Sequence, residues 1–215
     1  MELLTLAWDI AVHLDKHLAA LLAQYGTWVY AILFLIVFAE TGFVVTPFLP
    51  GDSLLFVAGA LCGAGSMDLW LLNATLIAAA VLGNSVNYSI GRYLGPKVFH
   101  WESSRFFNKA ALMKTHDFYE RHGGKTLVIT RFIPILRTFA PFVAGIGQMD
   151  YRHFAIWNVT GAITWVVSLT LAGYFFGQIP IVKKNFETVI LGIIVLSLLP
   201  MVFEYLRARR SAARA

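Results

Sequence analysis

Residues 126–149 read TLVITRFIPILRTFAPFVAGIGQM, and this stretch decides the fold. It is apolar enough for a membrane interior, yet it contains Arg131, Arg137, two prolines and two glycines. Irregular backbone at membrane depth is tolerated only where protein or a water-filled cavity surrounds it. We therefore predict a re-entrant hairpin, in which two short helices joined by a Pro/Gly break enter and leave on the same side of the membrane.

A second stretch, residues 27–66, has the same character. It is interrupted by Glu40-Thr-Gly42 and then by Thr46-Pro-Phe-Leu-Pro-Gly-Asp52-Ser53. Only 15 uncharged residues separate Asp52 from Asp68, whereas a spanning helix needs about 20. We predict a second re-entrant hairpin over 27–66.

The rest of the chain is typical of a polytopic membrane protein. Of its 215 residues, 58% are hydrophobic and 13% charged, against about 25% charged in soluble domains. Long uncharged runs predict spanning helices at 69–91 and 153–180, and a shorter run predicts a third at 186–206, extended by snorkelling of flanking basic residues. We predict one all-α integral membrane domain over residues 1–215.

The two termini and one internal segment are predicted to lie outside the apolar layer. Residues 1–24 mix acidic and apolar residues at helical spacing, which predicts an amphipathic interfacial helix, with a first spanning helix as the alternative. No basic region or small-residue cleavage site marks a signal peptide. Residues 97–125 are predicted to be a cytoplasmic amphipathic segment, and 207–215 a basic cytoplasmic tail.

The basic residues test this topology. With the C-terminus inside, 12 of the 17 Lys and Arg residues lie on the cytoplasmic side, three lie outside and two are in the second hairpin. If that hairpin spanned instead, the basic loop before it would move outside, against the positive-inside rule. The hairpins then enter from opposite faces, and each precedes a spanning helix, which is an inverted repeat.

Four ionisable residues flank the predicted breaks: Glu40 and Asp52 in the first hairpin, and Arg131 and Arg137 in the second. One charge at the bilayer centre costs roughly 2.5–3.5 kcal/mol even on the lenient insertion scale. We therefore expect the two acids and two bases to meet near the midplane. The alternative is a set of purely stabilising ion pairs.

The chemistry of these four residues suits an anion. Arginine keeps its charge and presents a planar fork that matches phosphate, so we predict that Arg131 and Arg137 bind a phosphate headgroup. Glu40 or Asp52 can exchange a proton as the anion arrives or leaves, which would couple transport to protons. The residues expected to support the site are Pro50, Gly51, Ser53, Asn84, Tyr88, Pro134 and Pro141.

The chain resembles the DedA family of bacterial membrane proteins, which carry the VTT or SNARE-associated-Golgi type of domain. The matching motifs are Phe38-Ala-Glu40-Thr-Gly42, Thr46-Pro-Phe-Leu-Pro-Gly-Asp52-Ser53, Gly83-Asn84-x-x-x-Tyr88-x-x-Gly91-Arg92, His122-Gly-Gly124, Arg131-Phe-Ile-Pro134-x-x-Arg137-Thr-Phe-Ala-Pro141-Phe-Val-Ala-Gly145 and Gly173-Tyr174. The family often has Asp where this chain has Asn84, which argues against a charged role there.

The resemblance implies a multi-pass inner-membrane protein with two re-entrant hairpins that moves lipids between leaflets. In some members the lipid is undecaprenyl phosphate, the cell-wall carrier lipid. The family's acidic pair falls on Glu40 and Asp52, and its arginine pair on Arg131 and Arg137. Proton coupling and roles in membrane homeostasis are also implied.

The leading hypothesis is a flippase for a phosphate-headed lipid, with undecaprenyl phosphate expected as substrate and protons as the coupling ion. The alternatives are a general phospholipid scramblase, a proton- or cation-coupled carrier of a soluble solute, a lipid-phosphate phosphatase that uses Ser53, and a purely structural membrane protein. We predict no enzyme activity, catalytic residue, metal or cofactor. The expected partners are membrane lipids and polyprenyl phosphate but not nucleic acid, and homo-oligomerisation stays open.

Overall fold

The computed structural model describes residues 14–43, 51–99, 123–186 and 188–193. The elements in these ranges are helices: α1 (Leu14–Tyr25), a 3-10 turn (Gly26–Trp28), α2 (Val29–Gly42), α3 (Gly51–Gly63), α4 (Leu69–Phe99), α5 (Lys125–Ile129), a 3-10 turn (Thr130–Phe132), α6 (Pro134–Ile146), α7 (Tyr151–Phe176) and α8 (Pro180–Lys184). Pro50, most of the predicted cytoplasmic segment 97–125 and the tail 207–215 lie outside the described residues.

Three helical runs are long and apolar enough to cross a membrane: Lys16–Gly42, Leu69–Gly95 and Tyr151–Phe176. Two of them coincide with the spans predicted at 69–91 and 153–180, although α4 continues to Phe99 and α7 ends at Phe176. The third predicted span, 186–206, is described only as far as residue 193, and residues 188–193 are helical.

The N-terminal helical run Lys16–Gly42 joins parts of two segments, 1–24 and 27–66, that the sequence predicts as separate elements. Helix α1 continues through the 3-10 turn at Gly26–Trp28 into α2. Gly26 adopts a φ of 54°, a conformation that costs glycine little and other residues more. By length and composition this run can cross a membrane, as the alternative for residues 1–24 requires, and the interfacial helix stays a prediction.

Exposure in this chain is reversed relative to a soluble protein. Trp70 is 84% exposed and Trp28 is 72% exposed, whereas Glu40 and Arg131 are 0% and 3% exposed. In water such a surface would favour aggregation, but lipid solvates large apolar side chains. Together with the three long apolar helices, this pattern fits an all-helical polytopic membrane protein.

The chain divides into two compact units. The first contains residues 1–33, 50–75 and 166–215, and the second contains residues 34–49 and 76–165. In the first unit, α1 packs against α3 and buries Leu18. The long helices α2, α4 and α7 each contribute one part to each unit.

Each unit holds a 13-residue helix that packs on a long helix through glycines. In the first unit this helix is α3, and a Cβ added to Gly59 would overlap the carbonyl oxygen of Thr170 on α7. In the second unit it is α6, and a Cβ added to Gly145 would overlap the carbonyl oxygen of Tyr88 on α4. Small residues let helix backbones approach closely in membranes, and both units use this device.

We expect Gly145→Ala to destabilise the protein, because the added methyl must displace the backbone of α4. Overpacking of this kind costs about 1–3 kcal/mol, and the thermal unfolding midpoint in detergent should fall accordingly. Gly192→Ala is the control, because an added Cβ at this helical glycine meets nothing within 4 Å. Equal midpoints for the two variants would contradict backbone contact at Gly145.

Candidate functional site

The second unit gathers the buried polar residues of the candidate site from four segments. The polar residues it contributes are Glu40 on α2, Asn84 and Asn87 on α4, Arg131 and Arg137 in residues 126–149 (the predicted second hairpin), and Asn158 on α7. All six are less than 9% exposed, and Glu40 and Asn87 have no exposed surface. Buried polar groups cost free energy unless they are hydrogen-bonded, so their partners decide what the site can do.

The break between the two arginines lies at Ile133. This residue is extended, with φ −118° and ψ 107°, between the 3-10 turn Thr130–Phe132 and helix α6. The following residue, Pro134, disfavours helical backbone at Ile133 and is well suited to the first turn of α6. The predicted Pro/Gly break is therefore present, and it places Arg131 and Arg137 in separate helical segments.

Pro141 lies inside α6 and is buried. Because proline has no N–H, it cannot donate the helical hydrogen bond to the carbonyl of Arg137. The sequence thus places a second backbone irregularity one turn after an arginine of the site.

Arg137 forms a buried ion pair with Glu40. Its Nη2 donates to Oε1 of Glu40, and the two residues are 97 positions apart. The guanidinium carbon also lies 5.3 Å from the ring centroid of Trp165 on α7, a cation–π distance. The predicted meeting of an acid from residues 27–66 with a base from residues 126–149 occurs at this pair.

Arg131 is held by neutral oxygens. Its Nη2 donates to the backbone oxygen of Asn158 at 3.1 Å and also to Oδ1 of Asn158. Among the described residues, no carboxylate accepts a hydrogen bond from Arg131. On α7 a Cβ added to Gly161 would lie 2.9 Å from Nε of Arg131, so this glycine leaves room beside the guanidinium.

Two further amides complete the network. Asn158 donates through Nδ2 to the carbonyl of Val81 at 3.0 Å, and its Oδ1 accepts from Nδ2 of Asn84 at 3.1 Å. Asn84 and Arg131 therefore meet on the same oxygen. The site thus joins α4, the second hairpin and α7 through one amide.

Asn87 acts as a clamp between helices α2 and α6. Its Nδ2 donates to the carbonyl of Thr41 at 3.1 Å and to that of Thr138 at 2.8 Å. Thr41 directly follows Glu40, and Thr138 directly follows Arg137. One buried amide therefore fixes the backbone beside both members of the ion pair.

The hydroxyl of Tyr88 makes its hydrogen bonds away from Arg131 and Arg137. Its hydroxyl donates to the carbonyl of Met149 and accepts from Nη1 of Arg92 at 2.9 Å, and its ring stacks on Phe154 at 4.3 Å between centroids. It belongs to an apolar cluster that α4, α6 and α7 build together with Leu127. These contacts give Tyr88 a place in the apolar packing of the second unit, and its supporting role at the site stays a prediction.

Three of the predicted residues belong to the first unit. Gly51 and Ser53 are buried and Asp52 is partly buried in the first turn of α3. An acidic residue there interacts favourably with the positive end of the helix dipole. The share of Asp52 in the charge cluster stays a prediction, and Pro50 lies outside the described residues.

Sequence reasoning did not assign roles to Asn87, Asn158 or Trp165. Asn158 had a visible signal, because amides are rare in the uncharged run 153–182 and amides inside spans bond neighbouring helices. Asn87 lies one turn after Asn84 and shares its helix stripe. Trp165 carried no signal that distinguishes it from an apolar core residue. Among the described residues, no group of three or more His, Cys, Asp or Glu could hold a metal.

Comparisons with known proteins agree with the membrane architecture. The VTT domain model matches residues 49–175. The chain is 57% identical over 217 residues to Protein DedA of Escherichia coli K12, covering 100% of this chain and 99% of that protein. It is 42% identical over 179 residues to an uncharacterized membrane protein of Mycobacterium leprae, covering 83% and 80%. It is 35% identical over 193 residues to the inner membrane protein YghB of Escherichia coli K12, covering 87% and 83%. No solved structure matches the chain.

The ion pair predicts strong coupling between Glu40 and Arg137. Glu40→Gln removes the negative charge beside Arg137, and Arg137→Gln removes the positive charge beside Glu40. Each single variant leaves one buried charge without its partner, so the two losses of unfolding free energy should add up to more than the loss in the double variant. We expect a coupling free energy of about 0.5–3 kcal/mol from a double-mutant cycle of thermal unfolding. Additive effects would show that the two side chains do not interact.

Proposed function

Because the chain belongs to the DedA family of membrane proteins, we propose that it transports a phosphate-headed lipid between membrane leaflets, with undecaprenyl phosphate as its substrate. In this proposal the chain lies in the bacterial inner membrane with a cytoplasmic C-terminus, because the relative YghB is an inner membrane protein by name and because the distribution of basic residues predicts this orientation. In this proposal the chain binds and moves its substrate without breaking a covalent bond.

The observation that carries the proposal is an excess of buried positive charge. In the described residues, the buried charged side chains are Glu40, Arg131 and Arg137, which are one acid and two bases. Ionised together, they leave one uncompensated positive charge in an apolar setting, where such a charge is expensive. A bound anion would offset that cost.

The two arginines have different partners and so different roles in the proposal. Arg137 is held by Glu40 and by the face of Trp165. Arg131 is held by the oxygens of Asn158, which orient its guanidinium without cancelling its charge. We assign the first contact with phosphate to Arg131, and a second contact to Arg137 when the anion competes with Glu40 for it.

That competition provides proton coupling. Once phosphate takes over Arg137, Glu40 is a buried carboxylate beside a new negative charge, and both features favour its protonated form. A proton taken up at Glu40 on binding is released when the phosphate leaves and the ion pair forms again. Asp52 is the second candidate for this exchange.

The repeated architecture supports alternating access. Each unit contains a 13-residue helix packed through glycines on a long helix, as an inverted repeat of two re-entrant hairpins would require. We propose that the hairpins open the site to opposite membrane faces in turn, while the lipid tail stays in the bilayer.

Lysine substitutions test whether Arg131 and Arg137 bind the phosphate group. Arg131→Lys and Arg137→Lys keep a positive charge but lose the planar fork, so we expect undecaprenyl-phosphate translocation in liposomes to fall at least about tenfold, or about 1.4 kcal/mol of transition-state stabilisation. Arg152→Lys, at an exposed position of α7, is the control. Wild-type translocation rates in both Arg131→Lys and Arg137→Lys would contradict phosphate binding by the two guanidinium groups.

Asn158→Asp tests whether the charge of Arg131 is needed. The new carboxylate would neutralise Arg131 where it now meets a neutral amide, so we expect retained membrane insertion together with loss of translocation. A purely structural Arg131 would tolerate this change, and normal translocation by a folded Asn158→Asp protein would therefore contradict the proposal.

Glu40→Gln tests coupling. This variant cannot exchange a proton at position 40, so a pH gradient should no longer accelerate translocation. Asp150→Asn, which changes an exposed carboxylate that caps α7, should leave the response to the gradient intact. Gradient-dependent translocation by Glu40→Gln would assign the exchange to another group.

A further inference from the structure

Some buried polar atoms of the second unit have no hydrogen-bond partner in the part of the chain that the structure describes, and three of them come from residues whose other contacts are known. These three are Oδ1 of Asn84, Oδ1 of Asn87 and Nε of Arg131. The three residues are 4%, 0% and 3% exposed, so bulk solvent does not reach them. Two of these atoms are acceptors and one is a donor, and such atoms cost free energy unless a ligand pairs with them.

The acceptor character of Asn87 is fixed by its surroundings. An Asn side chain can be flipped when nothing distinguishes its oxygen from its nitrogen. Here one end of the amide faces the carbonyl oxygens of Thr41 and Thr138, and carbonyl oxygens only accept. That end must be the nitrogen, so the other end is an oxygen.

The same logic fixes Asn84. The Nδ2 of Asn158 donates to the carbonyl of Val81, so the other end of Asn158 is its oxygen, which also accepts from Arg131. The end of Asn84 that faces this oxygen must be its nitrogen. The oxygen of Asn84 is therefore the second acceptor.

These atoms belong to one cluster. Asn84 and Arg131 converge on Oδ1 of Asn158. Asn87 lies three residues after Asn84 on the same helix, and such residues are neighbours with Cβ atoms about 5–6 Å apart. Arg131 packs directly against the backbone of Gly161, because a Cβ added to this glycine would come within 2.9 Å of Nε of Arg131.

The charges around the cluster restrict what can fill it. The buried charged groups on the packed segments are Glu40 on α2, Arg131 in the 3-10 turn and Arg137 on α6. The other charged or titratable groups described on these segments in the second unit are Tyr88, Arg92 and Tyr93 on α4, Lys125 on α5, and Tyr151, Arg152 and His153 at the start of α7. Arginines outnumber carboxylates in this set, so a free cation is repelled. A fully deprotonated phosphate satisfies Arg131 but offers no hydrogen to the two amide oxygens.

We propose that Asn84 and Asn87 accept the P–OH hydrogen of a singly protonated phosphomonoester whose anionic oxygens pair with Arg131. This inference rests on the proposed function and adds the form of the substrate. The second ionisation of a phosphomonoester has a pKa of about 6, so the protonated form is available near neutral pH. A phosphodiester, which has no P–OH, is therefore rejected.

The test compares undecaprenyl phosphate with its monomethyl ester, because one methyl removes the P–OH and leaves the tail unchanged. The full-length protein is reconstituted in liposomes, and translocation is measured from pH 6 to pH 8.5. We expect the monoester to move at least about tenfold faster than the methyl ester at pH 6.5, and its rate to decline as the dianion forms. This comparison needs no variant, so it stands even if a substitution impairs folding.

Variants then test the two amides. Asn84→Ala and Asn87→Ala should each reduce the preference for the monoester about tenfold and flatten its pH profile. Asn73→Ala is the matched control, because Asn73 lies on the same helix but its Oδ1 already accepts from the hydroxyl of Thr170. Unchanged preference and an unchanged profile in folded Asn84→Ala and Asn87→Ala proteins would overturn the inference.

Binding of inorganic phosphate, followed by ³¹P NMR on detergent-purified protein, separates a lipid from a free anion as the source of the ligand. Inorganic phosphate carries a P–OH as the monoanion and as the dianion, so we expect it to bind the wild type saturably and to bind Asn84→Ala at least about tenfold more weakly. Saturable phosphate binding without lipid translocation would assign the pocket to the free anion. Equal translocation of both lipids overturns the inference while the proposed function stands, and failure of both lipids and of phosphate to interact overturns both.

Discussion

A carboxylate and a guanidinium, both almost fully withdrawn from solvent, join parts of the chain that lie 97 residues apart, Glu40 and Arg137. Either charge alone would be costly in an apolar environment, so the fold that brings them together is favoured over arrangements that separate them. A pair of apolar residues could fill the same volume without loss of stability. What the ion pair adds is a defined position for helix α6, next to the turn that carries Arg131.

The site separates the two tasks that buried arginines can perform. Arg137 meets an acid and an aromatic face, and so its charge helps to hold the unit together. Arg131 meets only oxygens of Asn158 among the described residues, and so its charge is oriented rather than cancelled. Neutral amides suit this purpose because they fix a guanidinium in place and leave its electrostatic field available to an anion.

Much of this arrangement could be predicted from the sequence, because a charge or a proline inside an apolar membrane segment costs free energy and therefore stands out. Pro134 between two arginines predicted a break, and the backbone is extended at Ile133. Charges that interrupt apolar runs predicted a cross-hairpin ion pair, which Glu40 and Arg137 form. The amides Asn87 and Asn158 escaped assignment because their roles depend on which carbonyls and side chains neighbouring helices bring to them. Helix α4 ends at Phe99 and helix α7 begins at Tyr151, beyond the limits of the predicted spans. An uncharged run indicates which residues can lie in lipid, but it does not indicate where helical hydrogen bonding begins or ends.

The clamp formed by Asn87 limits how the second unit can move. Its single amide bridges the residues that follow Glu40 and Arg137, so the two backbones cannot drift apart by small steps while it stays bonded to both. Separation must release at least one carbonyl at a buried position, where a lost hydrogen bond is not replaced by water. Any rearrangement that separates these two backbones therefore has to pass through a state in which a buried carbonyl has lost its hydrogen bond.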